Sequence, residues 1–206
     1  MKCDVKILIA DNGSCDGTSL IAQELCDRFG CVSYLRISEK GVGAAVKEGI
    51  LASDCDVVGY MDIDLSTDVR YFSKVVALFE KDPELEIVNG SRFGKGARVT
   101  GRKWYRLILS RGLVFVLKLV FGMKASDAIC GFKFFEAGAA RRLLAESSDE
   151  KGWFLIIEML LRAERNGMKI HELPVRWKDD KKNSKVDVVK TVLYYLRQIV
   201  RLRSSI

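Results

Sequence analysis

Apolar and polar positions along the chain follow two different periods. Residues 5–10, apolar but for Lys6, close on the turn-forming run Asp11-Asn12-Gly13-Ser14, the pattern of a strand covered on both faces. Leu20, Ile21, Leu25 and Phe29 then recur at helical spacing, with Asp16 or Thr18 as a cap and Gly30 as a stop, and predict a helix to about residue 29. Residues 31–37 read as a strand, 41–52 as a helix and 56–61 as a strand. Such alternation predicts a parallel sheet in an α/β fold.

Further on, the spacing predicts a helix over 71–79, a short strand over 86–89 and a long apolar helix over 104–121. Residues 132–135 and 169–177 read as strands, and 137–145 and 154–166 as helices. The tail, 187–203, sets Val188, Val192, Leu193, Leu196, Ile199 and Val200 against Lys190, Arg197, Arg201 and Arg203, which makes a basic amphipathic helix. No linker rich in Pro, Gly or Ser divides the chain, so residues 1–206 are expected to form a single domain. The most apolar stretch, 107–123, is broken by Arg111 and Lys118, whereas a membrane span needs about 20 mostly apolar residues. Two readings of it stay open, a buried core helix and a helix lying in a membrane interface.

Composition narrows the chemistry. With 49% apolar residues, 30% charged residues and 2 prolines, the chain is not disordered or of low complexity. Its 34 Lys and Arg exceed its 27 Asp and Glu, and a formal charge of +7 favours phosphate-bearing partners: a nucleotide, a nucleic acid or an anionic lipid. No nucleic-acid recognition motif is present, so nucleic acid is not expected among them. The 6 cysteines form no CxxC pair, which fits reduced thiols better than a disulfide scaffold or a zinc site. The N-terminal apolar run is too short for a signal peptide. His171 is the only histidine, so Ser/His/Asp, Cys/His and multi-histidine metal schemes drop out and carboxylates, Lys and Arg remain.

The sharpest motif is Tyr60-Met61-Asp62-Ile63-Asp64-Leu65-Ser66, where a strand runs into two carboxylates one residue apart. Extended geometry would point Asp62 and Asp64 to one face, an arrangement suited to a hard divalent cation whose other positions are filled by water and phosphate. Ligands of open α/β sheets bind beyond the carboxyl ends of strands, which is where this pair falls. The first strand ends similarly, in Asp11-Asn12-Gly13-Ser14-Cys15-Asp16-Gly17-Thr18, with acceptors and donors for a base or ribose. An Asx turn with a helix cap accounts for half of these residues without a ligand. Glu39-Lys40-Gly41-Val42-Gly43-Ala44 is a small-residue helix start that would let a phosphate approach backbone amides.

In order, DNGSCDGT, EKGVGAAVKEGI, YMDIDLS, NGSRF, WYRLILSRG, SDAICGFKFF and ELPVRW resemble the family 2 glycosyltransferases of GT-A fold, above all the dolichyl-phosphate mannosyl- and glucosyltransferases. The resemblance covers roughly residues 5–203. It implies a Rossmann-like three-layer α/β/α architecture with a mostly parallel central sheet. It also implies an inverting, metal-dependent transfer of mannose or glucose from a nucleotide-diphosphate sugar, GDP-mannose or UDP-glucose, to a polyprenyl or dolichyl phosphate. Asp11, Asn12 and Lys40 would meet the nucleotide; Asp62 and Asp64 would hold Mg2+ or Mn2+; and Asp62, Asp64 and Arg92 would carry the chemistry. Arg92, Arg106, Ser110, Asp127, Glu158 and Lys185 would line the acceptor and phosphate side. The enzyme would sit peripherally on the cytoplasmic face of a membrane.

Three departures qualify the resemblance. Ile129 stands where the family has Gln, and Ile156 where it has an acid. The family also begins with a strand and helix of about 30 residues, as one βαβ unit would require, before the strand that opens this sequence, so the domain is expected to be incomplete at its N-terminus. These departures motivate the alternative of a non-catalytic remnant of the fold that binds a nucleotide or a partner.

Overall fold

The computed structural model describes residues 4–179 and 188–205. The first half alternates as expected: β1 (Ile7–Asp11), α1 (Thr18–Arg28), β2 (Val32–Arg36), α2 (Val42–Ala52) and β3 (Val57–Met61). There follow α3 (Tyr71–Lys81), β4 (Ile87–Ser91), a short β5 (Arg98–Thr100) and the long α4 (Trp104–Phe121). β6 (Phe132–Glu136), α5 (Ala137–Glu146), α6 (Phe154–Arg165), β7 (Ile170–Pro174), β8 (Arg176–Lys178) and α7 (Val188–Arg203) complete the order.

The central sheet has the order β3-β6-β4-β7. β6 runs antiparallel to both β3 and β4, and β7 runs parallel to β4, so three of the four strands point one way. β1 and β2 form a separate parallel ladder, as do β5 and β8. The strand expected over 169–177 is therefore two strands. Its chain breaks at Val175, whose N–H donates to the Ser91 carbonyl at 2.9 Å, and β8 then turns away to pair with β5.

Register decides what each face of the sheet buries. Val58, Phe135, Ile87 and Ile170 are cross-strand neighbours on one face, packed against Ile50 of α2, Leu143 of α5 and Leu155 and Met159 of α6. Phe132, Phe134, Val88 and Leu173 lie on the other face, against Val75 and Leu78 of α3. α6 also supplies Phe154, Ile157, Leu160 and Leu161 to a third cluster shared with Val114 and Leu117 of α4 and Ile199 and Leu202 of α7. Because α6 is packed on several sides, it is buried at nine positions, Glu158 among them.

β1 differs from expectation. It is not covered on both faces: Ile7 is 50% exposed and only Asp11 is buried. Among the described residues, β1 has no strand partner on its side away from β2, and β3 has none on its side away from β6. α2 packs on both β1 and β3 without their pairing to each other. α4 is buried along one side, at Ser110, Val114 and Leu117, while Trp104, Phe115 and Leu119 face outward.

Leu160 is fully buried where α4, α6 and α7 meet. Leu160→Ala is expected to lower the free energy of unfolding by about 2–5 kcal/mol, read from chemical denaturation midpoints with unchanged slope.

Candidate active site

β3 delivers the acid pair to the carboxyl end of the central sheet, but not in extended form. After Met61 the chain turns, with the Leu65 N–H donating to the Asp62 carbonyl at 3.1 Å and the Ser66 N–H donating to Asp64 Oδ1 at 2.9 Å. Leu65 has φ 52°, a left-handed conformation that side chains of its size seldom adopt and that concentrates at functional sites. Asp62 and Asp64 are thus brought together by a turn rather than by strand alternation.

Asp62 is seated on the 126–131 loop. Its N–H donates to the Gly131 carbonyl at 3.1 Å, and its carboxylate covers the Gly131 Cα so closely that a Cβ there would come within 2.0 Å of Oδ2. Burial, and then the neighbouring Asp64 charge, push the Asp62 carboxyl up to about 6, against the opposing pull of Arg92 and Lys133. Asp64 is exposed. Among the described residues no group of three or more His, Cys, Asp or Glu gathers to hold a metal. A cation here would take at most these two carboxylates, leaving positions for water and phosphate oxygens, which is the habit of Mg2+ and related hard ions.

Beside the acids lies a positive region. β4 ends at Ser91, and the next residue, Arg92, is 7% exposed and paired with the fully buried Asp127. The pair is bidentate, Nε to Oδ2 at 2.7 Å and Nη2 to Oδ1 at 2.9 Å, and the Arg92 and Ile129 N–H groups add bonds of 3.0 Å each to the same carboxylate. Burial works to raise the Asp127 carboxyl, but the Arg92 charge and hydrogen bonds outweigh it and hold it below its ordinary value. The Arg92 guanidinium lies 5.3 Å from the Phe93 ring and 5.7 Å from the Trp177 ring. Arg102 stands 4.9 Å from the same indole and donates from Nη2 to the buried Ser110 Oγ at 3.0 Å. Burial first, then the charges of Arg92 and Arg106, act to lower its pKa. Three guanidiniums and a hydroxyl therefore share one region, and of these Arg102 and its Trp177 platform were not anticipated. Arg102 lies two residues before α4, so no helical period reaches it, and its place beside Trp177 depends on tertiary contact.

The nucleotide-side residues form a second group at the carboxyl end of β1. Asp11 is buried, with Oδ1 accepting the Ser14 N–H at 2.9 Å and Oδ2 accepting the Tyr34 hydroxyl at 2.8 Å. Hydrogen bonds from Ser14 and then from Tyr34 hold its carboxyl below the ordinary range. Asn12 is half-buried, and the exposed Lys40 lies along the turn, its Cγ 3.8 Å from a Cβ placed on Gly13. Among the described residues no hydrogen bond or ion pair links this group to Asp62 and Asp64.

Two expectations change. The small-residue start of α2 is not an open phosphate cradle, because the 150–152 backbone already occupies it: the Ala44 N–H donates to the Lys151 carbonyl at 3.1 Å, and a Cβ on Gly41 would lie 2.0 Å from that oxygen. Glu158 does not line the site. It is 1% exposed, with its carboxylate taken by the Ser148 N–H and hydroxyl at 2.9 and 2.6 Å and by Arg162 at 2.8 Å, so it fixes the loop before α6. Ile156 is buried beside it in the core. Lys185 lies outside the described residues.

Asp127→Asn would leave Arg92 as a buried, unpaired charge and is expected to cost about 3–5 kcal/mol of stability at pH 7. A carboxyl with a depressed folded pKa stabilises fully above its unfolded value near 4 and loses that contribution as pH falls through the folded one. The gap between wild type and variant, read by urea denaturation, should accordingly close as pH drops below about 4.

The family model described as Glycosyl transferase family 2 matches residues 2–144. The chain is 32% identical over 197 residues to Glycosyltransferase AglD of Haloferax volcanii, covering 95% of this chain and 31% of that one. It is 32% identical over 212 residues to Dolichyl-phosphate beta-glucosyltransferase of Dictyostelium discoideum, covering 98% and 64%, and 30% identical over 178 residues to Polyprenol monophosphomannose synthase of Mycolicibacterium smegmatis, covering 83% and 66%. It thus spans from 31% to 66% of the length of these relatives. Among solved structures, glucosyl-3-phosphoglycerate synthase from Mycobacterium tuberculosis in complex with UDP shares the fold, with a TM-score of 0.66 at 17% identity over 96% of this chain and 67% of that one. The same protein with Mn2+, UDP and phosphoglyceric acid gives 0.68 at 14% identity over 97% and 67%. The fold is GT-A, and the chain belongs to glycosyl transferase family 2.

Proposed function

We propose that this protein transfers a hexose, mannose or glucose, from a nucleotide-diphosphate sugar to a polyprenyl or dolichyl phosphate, with inversion and with Mg2+ or Mn2+. The observation that carries the reading is the adjacency of the Asp62–Asp64 turn to the Arg92–Asp127 pair, close enough for the Arg92 charge to act on Asp62. An acid pair beside a guanidinium cluster offers one side to a cation-bound diphosphate and the other to an acceptor phosphate. The named relatives, a dolichyl-phosphate glucosyltransferase and a polyprenol monophosphomannose synthase, support the substrate class.

In this reading Asp11, Asn12 and Lys40 orient the nucleotide, and Asp62 and Asp64 hold the cation. When bound, the cation neutralises charge developing on the departing diphosphate. Arg92, Arg106 and Ser110 orient the acceptor phosphate, with Lys185 also on that side, while Asp127, fully buried against Arg92, holds that guanidinium in place rather than lining the site. An ionised phosphate attacks without a general base, so the chain's single histidine is no obstacle.

The acceptor is a lipid, and two helices suit a membrane surface. Trp104, Phe115 and Leu119 of α4 are 74%, 66% and 76% exposed, and α7, which packs on α4, exposes Leu193 and Val200 beside Arg197 and Arg201. Among the described residues no helix is long and apolar enough to cross a membrane; the contact in this reading is peripheral, on the cytoplasmic face, and is carried by these exposed apolar and basic side chains. Ile129 and Ile156, in place of polar residues of the family, favour the second reading, a nucleotide- or partner-binding remnant.

The test is transfer of radiolabelled sugar from GDP-mannose or UDP-glucose into polyprenyl phosphate with and without Mn2+. Asp64→Ala is expected to lower kcat about a hundredfold, roughly 3 kcal/mol of lost stabilisation. Nucleotide binding without metal-dependent product would overturn the enzyme reading in favour of the second. Gly131→Ala, which displaces the Asp62 carboxylate, should weaken Mn2+ binding at least tenfold by roughly 1.4 kcal/mol, followed by electron paramagnetic resonance; unaltered binding would separate Asp62 from the metal.

A further inference from the structure

A lysine lies at the centre of the sheet with none of its surface exposed. Lys133 of β6 follows Phe132 and precedes Phe134, in a strand buried at four of its five positions, and is 0% exposed. Taking an ammonium out of water is costly, and burial pulls the Lys133 amine below its ordinary pKa. Its shortest contact is not with a carboxylate but with the Asn89 amide oxygen, at 2.5 Å. A methionine would fill a similar volume without that cost.

Register explains what the lysine is placed to do. Lys133 is opposite Tyr60 on β3 and Asn89 on β4, and Asn89 is opposite Glu172 on β7, so four polar side chains form one rung across the whole sheet. Each of the other three members grips the loop that carries Asp127 and Gly131. The Tyr60 hydroxyl donates to the Cys130 carbonyl at 3.4 Å. Asn89 Nδ2 donates to the Asp127 carbonyl at 2.9 Å and to Glu172 Oε1 at 3.3 Å. Glu172 Oε1 accepts the Ser126 N–H at 2.7 Å and its hydroxyl at 3.0 Å. An ammonium has only donors to offer, so it forces the Asn89 oxygen toward itself and the Asn89 nitrogen toward Asp127. Reversing that amide would set an oxygen against the Asp127 carbonyl.

We infer that Lys133 is a positioning residue: by fixing the sense of the Asn89 amide it holds the 126–131 loop in the one arrangement that pairs Asp127 with Arg92 and seats Asp62 on Gly131. This rests on the proposed transferase reading only for its kinetic consequence. The geometric consequence concerns the loop alone, and a lysine serving merely to complete the fold would not produce it.

Lys133→Met is the first test, read by hydrogen exchange of individual amides and by transfer kinetics with UDP-glucose or GDP-mannose, Mn2+ and polyprenyl phosphate. Exchange across residues 126–131 is expected to rise at least tenfold while amides of β3, β4 and β7 keep their protection, and kcat should fall at least tenfold with donor KM within twofold. Asn89→Asp is the second test, because it keeps an acceptor for Lys133 but replaces the donor to Asp127 with an oxygen; the same local rise is expected, and it decides the matter if the methionine variant does not fold. Unchanged exchange over 126–131, a uniform rise throughout the sheet, or a loosened loop with wild-type kcat would each overturn the inference. If wild type transfers no sugar, the functional reading fails while the exchange measurement still judges the role of Lys133.

Discussion

A guanidinium buried against a carboxylate is the constraint around which this site is organised. Neither Arg92 nor Asp127 could be so deeply buried alone, since an unpaired charge in that position costs several kcal/mol. Their union ties the end of β4 to the loop before β6, and it does so in two directions, because Asp127 also accepts the backbone N–H groups of Arg92 and Ile129. The loop is thereby held down at Asp127, and Gly131 farther along it is the surface on which the Asp62 carboxylate rests. An acid pair carried on a turn would otherwise have no fixed position relative to the positive side of the site.

Charge separation follows from this arrangement. The acids sit at the end of β3, on a turn with an exposed Ile63 and Leu65, while the guanidiniums of Arg92 and Arg102 stack around Trp177. Both guanidiniums, 5.7 and 4.9 Å from the ring centroid, lie within reach of the attraction of its face for cations. Trp177 arrives there because the chain breaks at Val175 and β8 pairs with β5, so the split of one expected strand into two brings a platform to the site. α4 joins the same region to the outside, presenting Ser110 inward and Trp104, Phe115 and Leu119 outward from one helix.

Most of the architecture was legible because it is written in period. Strand and helix alternation up to Met61, the long α4 and the amphipathic α7 emerged with bounds shifted by only a residue or two. β5 was not legible: Arg98–Thr100 is three residues with no apolar alternation, and it is a strand only because β8 lies beside it. The acids were found, but their geometry was not, since the 62–65 turn depends on the Ser66 amide capturing Asp64 and on Gly131, far along the chain, receiving Asp62. Gly41 and Gly43 looked like room for a phosphate, whereas the room is filled by the 150–152 backbone, a tertiary contact that no local pattern announces. Glu158 misled for a similar reason: an acid on a helix reads the same whether it faces substrate or Ser148 and Arg162. Lys133 left a sign that passed unread, a lysine set among Phe132, Phe134 and Phe135 in a strand.

The open edges of β1 and β3 carry a consequence of another kind. Each presents a row of backbone N–H and C=O groups with no ladder partner among the described residues, and Ile7 is half exposed on one of them. Such an edge is a template on which a further strand can add by main-chain hydrogen bonds, whatever its sequence. The protection found beside β1 is a single charge, Lys6, whose ammonium pairs with Asp54 at 2.7 Å across exposed surface. Among the described residues the main-chain groups of β1 and β3 are thus placed to receive such a strand, with α2 packed on both of them.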